Sequence, residues 1–308
     1  MINMIKMEMF RLFKTKSLYV ILAIMAAITV FFTYMVKDTL NQMNEAETTQ
    51  AEHNSGAGYS EFADGFEAGV QENGETDSRE ADARSSALVT VESSTIEDTS
   101  IDDVTLLTML YDSASGMMLG LFLVIFAVLF ATADTTCGFI KNIGGQVSSR
   151  NILILSKAFG LLVYTVVLFA SYIVVQGIST QIFFGYIKPG DAGELASYLA
   201  LQILLHFALA LFCMMLALLI KNNVVTIIIV VLLCADIPAL LFRIINQLIG
   251  KLGIENFDIS KYSLTNTISV LETSAAKSEV VSAVCIGICF AAFAVLLSCF
   301  IFKKRDIA

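Results

Sequence analysis

Long apolar runs dominate the chain, and its polar residues gather into blocks between them instead of alternating with the hydrophobic ones. A hydrocarbon core of about 30 Å needs roughly 20 apolar residues in a helix, because lipid offers no partner to backbone N–H and C=O groups. Six runs meet that requirement, at residues 17–36, 116–133, 158–178, 198–220, 224–242 and 280–302. Asp236 is the one Asp, Glu, Lys or Arg inside them. The first run exceeds the apolar stretch of a secretory signal, about 7–15 residues, so it reads as an uncleaved helix. The pattern predicts an all-α integral membrane protein with six transmembrane helices.

Residues 2–13 follow a different period. Ile2, Ile5, Met9, Leu12 and Phe13 recur at helical spacing with Lys6 and Arg11 among them and Lys14 following, which predicts a helix in the membrane interface that bends into the first span. Lys and Arg near helix ends set orientation. With a cytoplasmic N-terminus, the short inner segments hold 11 of the 19 Lys and Arg, and the much longer outer ones hold eight. Both termini are therefore expected to be cytoplasmic, in a cell membrane. The chain divides into residues 1–36 with the interfacial helix and first span, an extracellular segment 37–115, and spans two to six over 116–308.

Composition sharpens this picture. Of the 308 residues 56% are hydrophobic and 15% charged, against about 25% charged in a soluble domain, which excludes an ordinary soluble enzyme. The net charge of −9 is unevenly spread, since residues 37–104 hold 17 acidic and 3 basic side chains. This polar insertion supports only short helices, as at Phe62, Phe66 and Val70, and buries little core of its own. It reads as a solvated insertion, a collar over a path, or a surface that captures cations. Cys213, Cys234, Cys285, Cys289 and Cys299 fall in spans and Cys137 in an inner loop, so the outer segments hold none to pair, and the cysteines read as small packing residues.

Catalytic motifs are missing. The chain has no G-x-x-x-x-G-K-[ST] phosphate loop, no H-E-x-x-H and no G-x-S-x-G, and its histidines are His53 and His206. Its basic residues sit at membrane edges, which argues against nucleic acid. No metal or cofactor site is expected on the chain. Polar residues within spans are costly and tend to face protein or a water-filled path. Gln202 and His206, one turn apart, are either a structural pair or contacts on a substrate path. Asp236, followed by the helix-disrupting Pro238, is either an outer gate or a helix end. Beyond it, Leu241, Ile244, Ile245, Leu248 and Ile249 share a helix with Arg243, Asn246, Gln247 and Lys251, suiting the outer interface or a re-entrant turn. Gly287, Ala291 and Ala292 make a small-residue face on the last span for a neighbouring helix.

The inner segment 134–157 carries Asp134, then Gly138, Phe139, Ile140, Lys141 and Asn142, a Gly144–Gly145 pair, Arg150 and Lys157. Its short apolar turn flanked by glycines predicts a cytoplasmic docking knob. Here the chain resembles the type 2 permease subunits of ATP-binding cassette exporters, including small bacterial permeases linked to peptide-antibiotic resistance. The resemblance covers the whole architecture and is closest at Asp134, Gly138, Ile140, Lys141, Arg150 and Lys157. It implies that 134–157 is a coupling loop seated on a separate ATPase subunit, which binds ATP and Mg. It further implies a second permease copy or paralogue, contact with membrane lipids, and ATP-driven export; an antimicrobial peptide fits the acidic outer segment as cargo, a lipid or lipid-linked antibiotic fits the apolar spans, and sodium ions fit Asp236. The competing expectation is a membrane-embedded sensor or assembly factor without transport activity.

Overall fold

A computed structural model describes residues 2–55, 104–136, 151–220, 222–235, 237–251 and 259–304. Among them every regular element is helical. The expectations at Phe62, Phe66 and Val70, at Cys137, at Gly138 to Arg150 and at Asp236 lie outside the described residues. The chain forms two units, one of Met1–Thr33 with Thr105–Ala308 and one of Tyr34–Val104.

Helix α1 (Ile2–Lys14) buries Leu12 and the charged Glu8, and leaves Phe10 and Phe13 exposed, although the spacing groups Phe13 with Leu12. It ends at Thr15, whose hydroxyl donates to the Arg11 carbonyl at 2.7 Å. The Thr15 carbonyl accepts from Leu18 N at 3.1 Å, so this one residue closes α1 and opens α2 (Lys16–Ser55). At 40 residues, α2 is about 60 Å long and carries on as helix well past the expected end at residue 36. The first part of the acidic segment is therefore helical. Within the bundle α2 buries only the stripe Leu18, Ile21, Met25, Thr29 and Thr33.

Where the second span is expected, the chain is bent. Helix α3 (Leu106–Ser115), which the sequence reading left within the outer segment, meets α4 (Met118–Thr136) at 57°. Thr105 and Thr108 cap α3 reciprocally. At the break, Met117 takes a φ of 54°, a left-handed conformation uncommon outside glycine. Helix α5 (Asn151–Phe184) and helix α6 (Ala192–Ile220) extend beyond the spans expected at 158–178 and 198–220. The Asp191 side chain starts α6 by accepting from Gly193 N and Glu194 N.

The fifth run, expected at 224–242 with a disruption at Pro238, divides into two helices. Helix α7 (Asn223–Cys234), capped by Asn222, stops after 12 residues, about 18 Å of rise. Helix α8 (Ile237–Lys251) follows. Pro238 lies in the first turn of α8, where its missing N–H goes unused, so it opens a helix instead of breaking one. Leu241, Ile244, Ile245 and Leu248 of α8 are exposed. A 3₁₀ turn η1 (Ile259–Tyr262), helix α9 (Leu264–Val270) and helix α10 (Lys277–Lys304) complete the described chain.

Helix α6 is the hub, packed by α4, α5, α7, α9 and α10. Gly287 of α10 lies close against α6, since a Cβ there would lie 3.3 Å from Leu205 Cδ2. Cys213 and Cys234 are buried as expected, but Cys285 and Cys289 are exposed beside Val281, Ile288 and Phe293 on the outer face of α10. Their expected packing role within the chain is thereby corrected. Four helices are long and apolar enough to cross a bilayer: α2 over Lys16–Gln42, α5, α6, and α10 over Lys277–Phe302. The bent α3–α4 pair makes a fifth crossing if it counts as one span. The fold is thus an all-helical, multi-pass membrane type by length and composition.

Candidate functional site

Two clusters of buried polar groups stand out. The first is where α1, α4 and α5 meet. Lys157, expected at the end of an exposed inner loop, is buried instead. Its Nζ donates to the Phe130 carbonyl at 3.3 Å and lies 5.2 Å from the centre of the Phe130 ring. This cation therefore sits by a backbone carbonyl of α4 and the face of an aromatic ring, both of which attract positive charge. Gly160, one turn further along α5, faces the same ring: a Cβ would lie 3.1 Å from Phe130 Cζ and 4.0 Å from Leu12 Cδ1 of α1. Glu8 of α1 is fully buried and bonded to Arg11 at 3.2 Å. Asp134 is in the last turn of α4; nothing further is described of its side chain.

The second cluster lies on α6. Gln202 and His206 are both 0% exposed. Gln202 Nε2 donates to the Tyr198 hydroxyl at 2.9 Å and to the Ile268 carbonyl of α9 at 3.3 Å. His206 Nδ1 lies 2.9 Å from the Gln202 carbonyl, and Phe169 of α5 meets the imidazole edge-on, with centroids 5.0 Å apart. Both predicted residues therefore join one cluster, together with Tyr198, whose ring is 6.2 Å from that of Tyr111. Asp236 is outside the description, and Pro238 is not brought to this cluster by any described contact.

Some of the polar framework escaped the sequence reading. Tyr172 and Tyr198 were not singled out from the sequence, yet each hydroxyl is a buried hydrogen-bonding tip. Gln176 of α5 and Thr33 of α2, also missed, pair across two helices at 3.2 Å. The available signal was the cost of an amide or hydroxyl in lipid, which applies to Gln176 as much as to Gln202.

Residues 94–308 match the family described as "Protein of unknown function (DUF2705)". The chain belongs to this family. The DUF2705 region takes in α3 to α10, hence Lys157, Gly160, Gln202 and His206, and leaves out α1 and α2. No curated protein and no solved structure matches the chain.

Proposed function

We propose that this chain is the permease subunit of an ATP-binding cassette exporter, passing a substrate outward through its bundle while a separate ATPase subunit hydrolyses ATP. The observation that supports this best is the shared footing of α1, α4 and α5. Phe130, Gly160 and Leu12 pack together there, and Lys157 of α5 bonds to the Phe130 carbonyl of α4. Residues 137–150 join α4 to α5, so a force applied to them reaches both helices and, through Leu12, the amphipathic α1. In this reading Asp134, Gly138, Phe139, Ile140, Lys141, Asn142 and Arg150 form the coupling loop against the ATPase, and Lys157 anchors its base.

The proposed topology has six crossings and cytoplasmic termini: α2, the α3–α4 pair, α5, α6, α7 with the start of α8, and α10. ATP and Mg stay on the ATPase. A second copy or related permease completes the path, with Gln202, His206, Asp236 and Pro238 as its candidate lining or gate. A peptide antibiotic or lipid-linked antibiotic is the proposed cargo. Transport follows if the ATPase favours one of two global states of the bundle over the other.

Gly138→Pro and Lys141→Glu test the coupling loop. Both variants are expected to insert into the membrane normally, by protease protection, and to lose co-purification of the ATPase. Normal docking and transport by both variants would refute the assignment. A second reading, as a membrane-embedded sensor, draws on α2, whose single helix from Lys16 to Ser55 joins the acidic segment to the bundle. It differs by predicting ligand binding without ATP-dependent flux.

A further inference from the structure

Helix α8 packs on α7 and on η1, and its residues divide into three sectors. Leu241, Ile244 and Leu248, each more than half exposed, fall within about 60° of one another at 3.6 residues per turn. Phe242, Asn246 and Ile249 are half-buried and mark the flank that meets the protein. Arg243 and Gln247 are exposed on the other flank, roughly 90–130° from the centre of the apolar face. The helix contains Arg243 and Lys251 and no acidic residue.

Length decides how such a helix can lie. Helix α7 follows the polar Lys221–Asn222 and rises about 18 Å. Residues 235–236, even fully extended, add at most about 7 Å. Together they fall short of a hydrocarbon core of about 30 Å, so α8 starts inside the apolar layer, near its far boundary. Fifteen residues long, α8 continued upright would add about 22 Å and carry Ile245 and Leu248 beyond the hydrocarbon. Laid along the boundary, it keeps the whole apolar face in hydrocarbon and leaves Arg243 and Gln247 at the headgroups. Amphipathic helices in an interface bury their apolar face about 5–10 Å into the headgroup–acyl boundary, the depth to which α7 and its link deliver the chain. Tyr262 of η1, on which α8 packs, is 64% exposed, and tyrosine is enriched at that level of a membrane.

We propose that α8 lies along the membrane interface, in the leaflet where α6 begins, with Leu241, Ile244, Ile245 and Leu248 seated on phospholipid acyl chains and Arg243 on anionic headgroups. The inference concerns the resting chain in its membrane and stands whether or not an ATPase docks.

The chain has no tryptophan, so one introduced at a time reports its own depth. Leu241→Trp, Ile244→Trp, Leu248→Trp and Gln247→Trp are each placed in the full chain, in vesicles of phosphatidylcholine and phosphatidylglycerol brominated at graded acyl positions. The first three are expected to be quenched most by bromines near the headgroups, at matching depths, and Gln247→Trp by aqueous iodide. Leu241 and Leu248 lie about 10 Å apart along the helix, so a depth difference approaching that value would overturn the proposal. So would an absence of lipid quenching, the result that a second copy of the chain covering this face would give. At equal small fractions, brominated phosphatidylglycerol is expected to quench Ile244→Trp more than brominated phosphatidylcholine, an excess that Arg243→Gln removes. Equal quenching by the two lipids, or an excess that survives Arg243→Gln, would overturn the headgroup assignment. If one leucine variant fails to fold, Ile244→Trp paired with the other reads the same tilt.

Discussion

The Tyr172 hydroxyl donates to the Met109 carbonyl at 2.8 Å and lies 2.6 Å from Ser113 Oγ. Its single proton is committed to the carbonyl, so Ser113 donates to it, and α3 is tied to α5 at two points one turn apart. This latch lies beside the positive-φ Met117, where α3 turns away from α4. Tyr172→Phe removes both bonds. At about 0.5–1.5 kcal/mol each, their loss is expected to speed amide exchange across residues 106–115 by roughly tenfold or more, while exchange in α10 stays unchanged. Hydrogen exchange in lipid nanodiscs, read by mass spectrometry, checks this; unchanged exchange in α3 would contradict the latch.

Gly160 is expected to resist enlargement. The Phe130 ring it faces cannot easily retreat, being stacked near Phe126 with centroids 5.7 Å apart and lying beneath the Lys157 ammonium. Gly160→Ala is expected to cost about 1–3 kcal/mol, the usual penalty for overpacking. Adding Phe130→Leu shortens the neighbour and is expected to restore part of the loss. Unfolding in increasing SDS measures both, and the absence of any rescue would place the strain elsewhere.

The contact between α2 and α5 includes a polar bond in a place where hydrophobicity alone does not hold helices together. The Thr33 hydroxyl donates to Thr29 O at 2.9 Å and accepts from Gln176 Nε2 at 3.2 Å. A double-mutant cycle with Thr33→Val and Gln176→Leu is expected to give a coupling of about 0.6 kcal/mol, the average of interhelical bonds measured in a membrane protein, and no more than about 1.7. Strictly additive single effects would show that the pair does not act as one.

At Gly287, room decides how large a side chain α10 tolerates. The nearest neighbour of an added Cβ is the end of the Leu205 side chain at 3.3 Å, so Gly287→Ala is expected to be accommodated by a small shift. Gly287→Leu is expected to push α10 off α6 and lower the yield of folded, monodisperse protein in detergent. Equal yields for leucine and glycine would show that close approach is not required there.

Much of the fold was legible, for a plain reason. Run length reports bilayer thickness, so α2, α5, α6 and α10 announced themselves by apolar stretches alone. Helix α3 did not, because Leu106–Ser115 is too short to span and follows the acidic segment; its one local signal is the Thr105–Thr108 cap. Nothing in Gly116–Met117 marked a bend, since the apolar run continues beyond it. The interruption near Pro238 was legible, since a proline within an apolar run suggests a break, but not its place: the preceding helix has already ended at Cys234. At the site, Gln202 and His206 were visible as costly polar residues one turn apart. Their partners Tyr198, Ile268 and Phe169 come from packing among α5, α6 and α9, which no periodicity encodes. Lys157 drew attention by its charge, but its burial over the Phe130 ring comes from the packing of α4 against α5, which its charge does not announce.

The most direct test of the exporter reading is to purify the tagged, full chain from its native membrane in mild detergent, identify co-purifying proteins by mass spectrometry and assay ATP hydrolysis. The account predicts a nucleotide-binding ATPase subunit in stoichiometric amount, with ATP hydrolysis in the purified complex. Recovery of the chain alone, or with a partner that does not hydrolyse ATP, would contradict it.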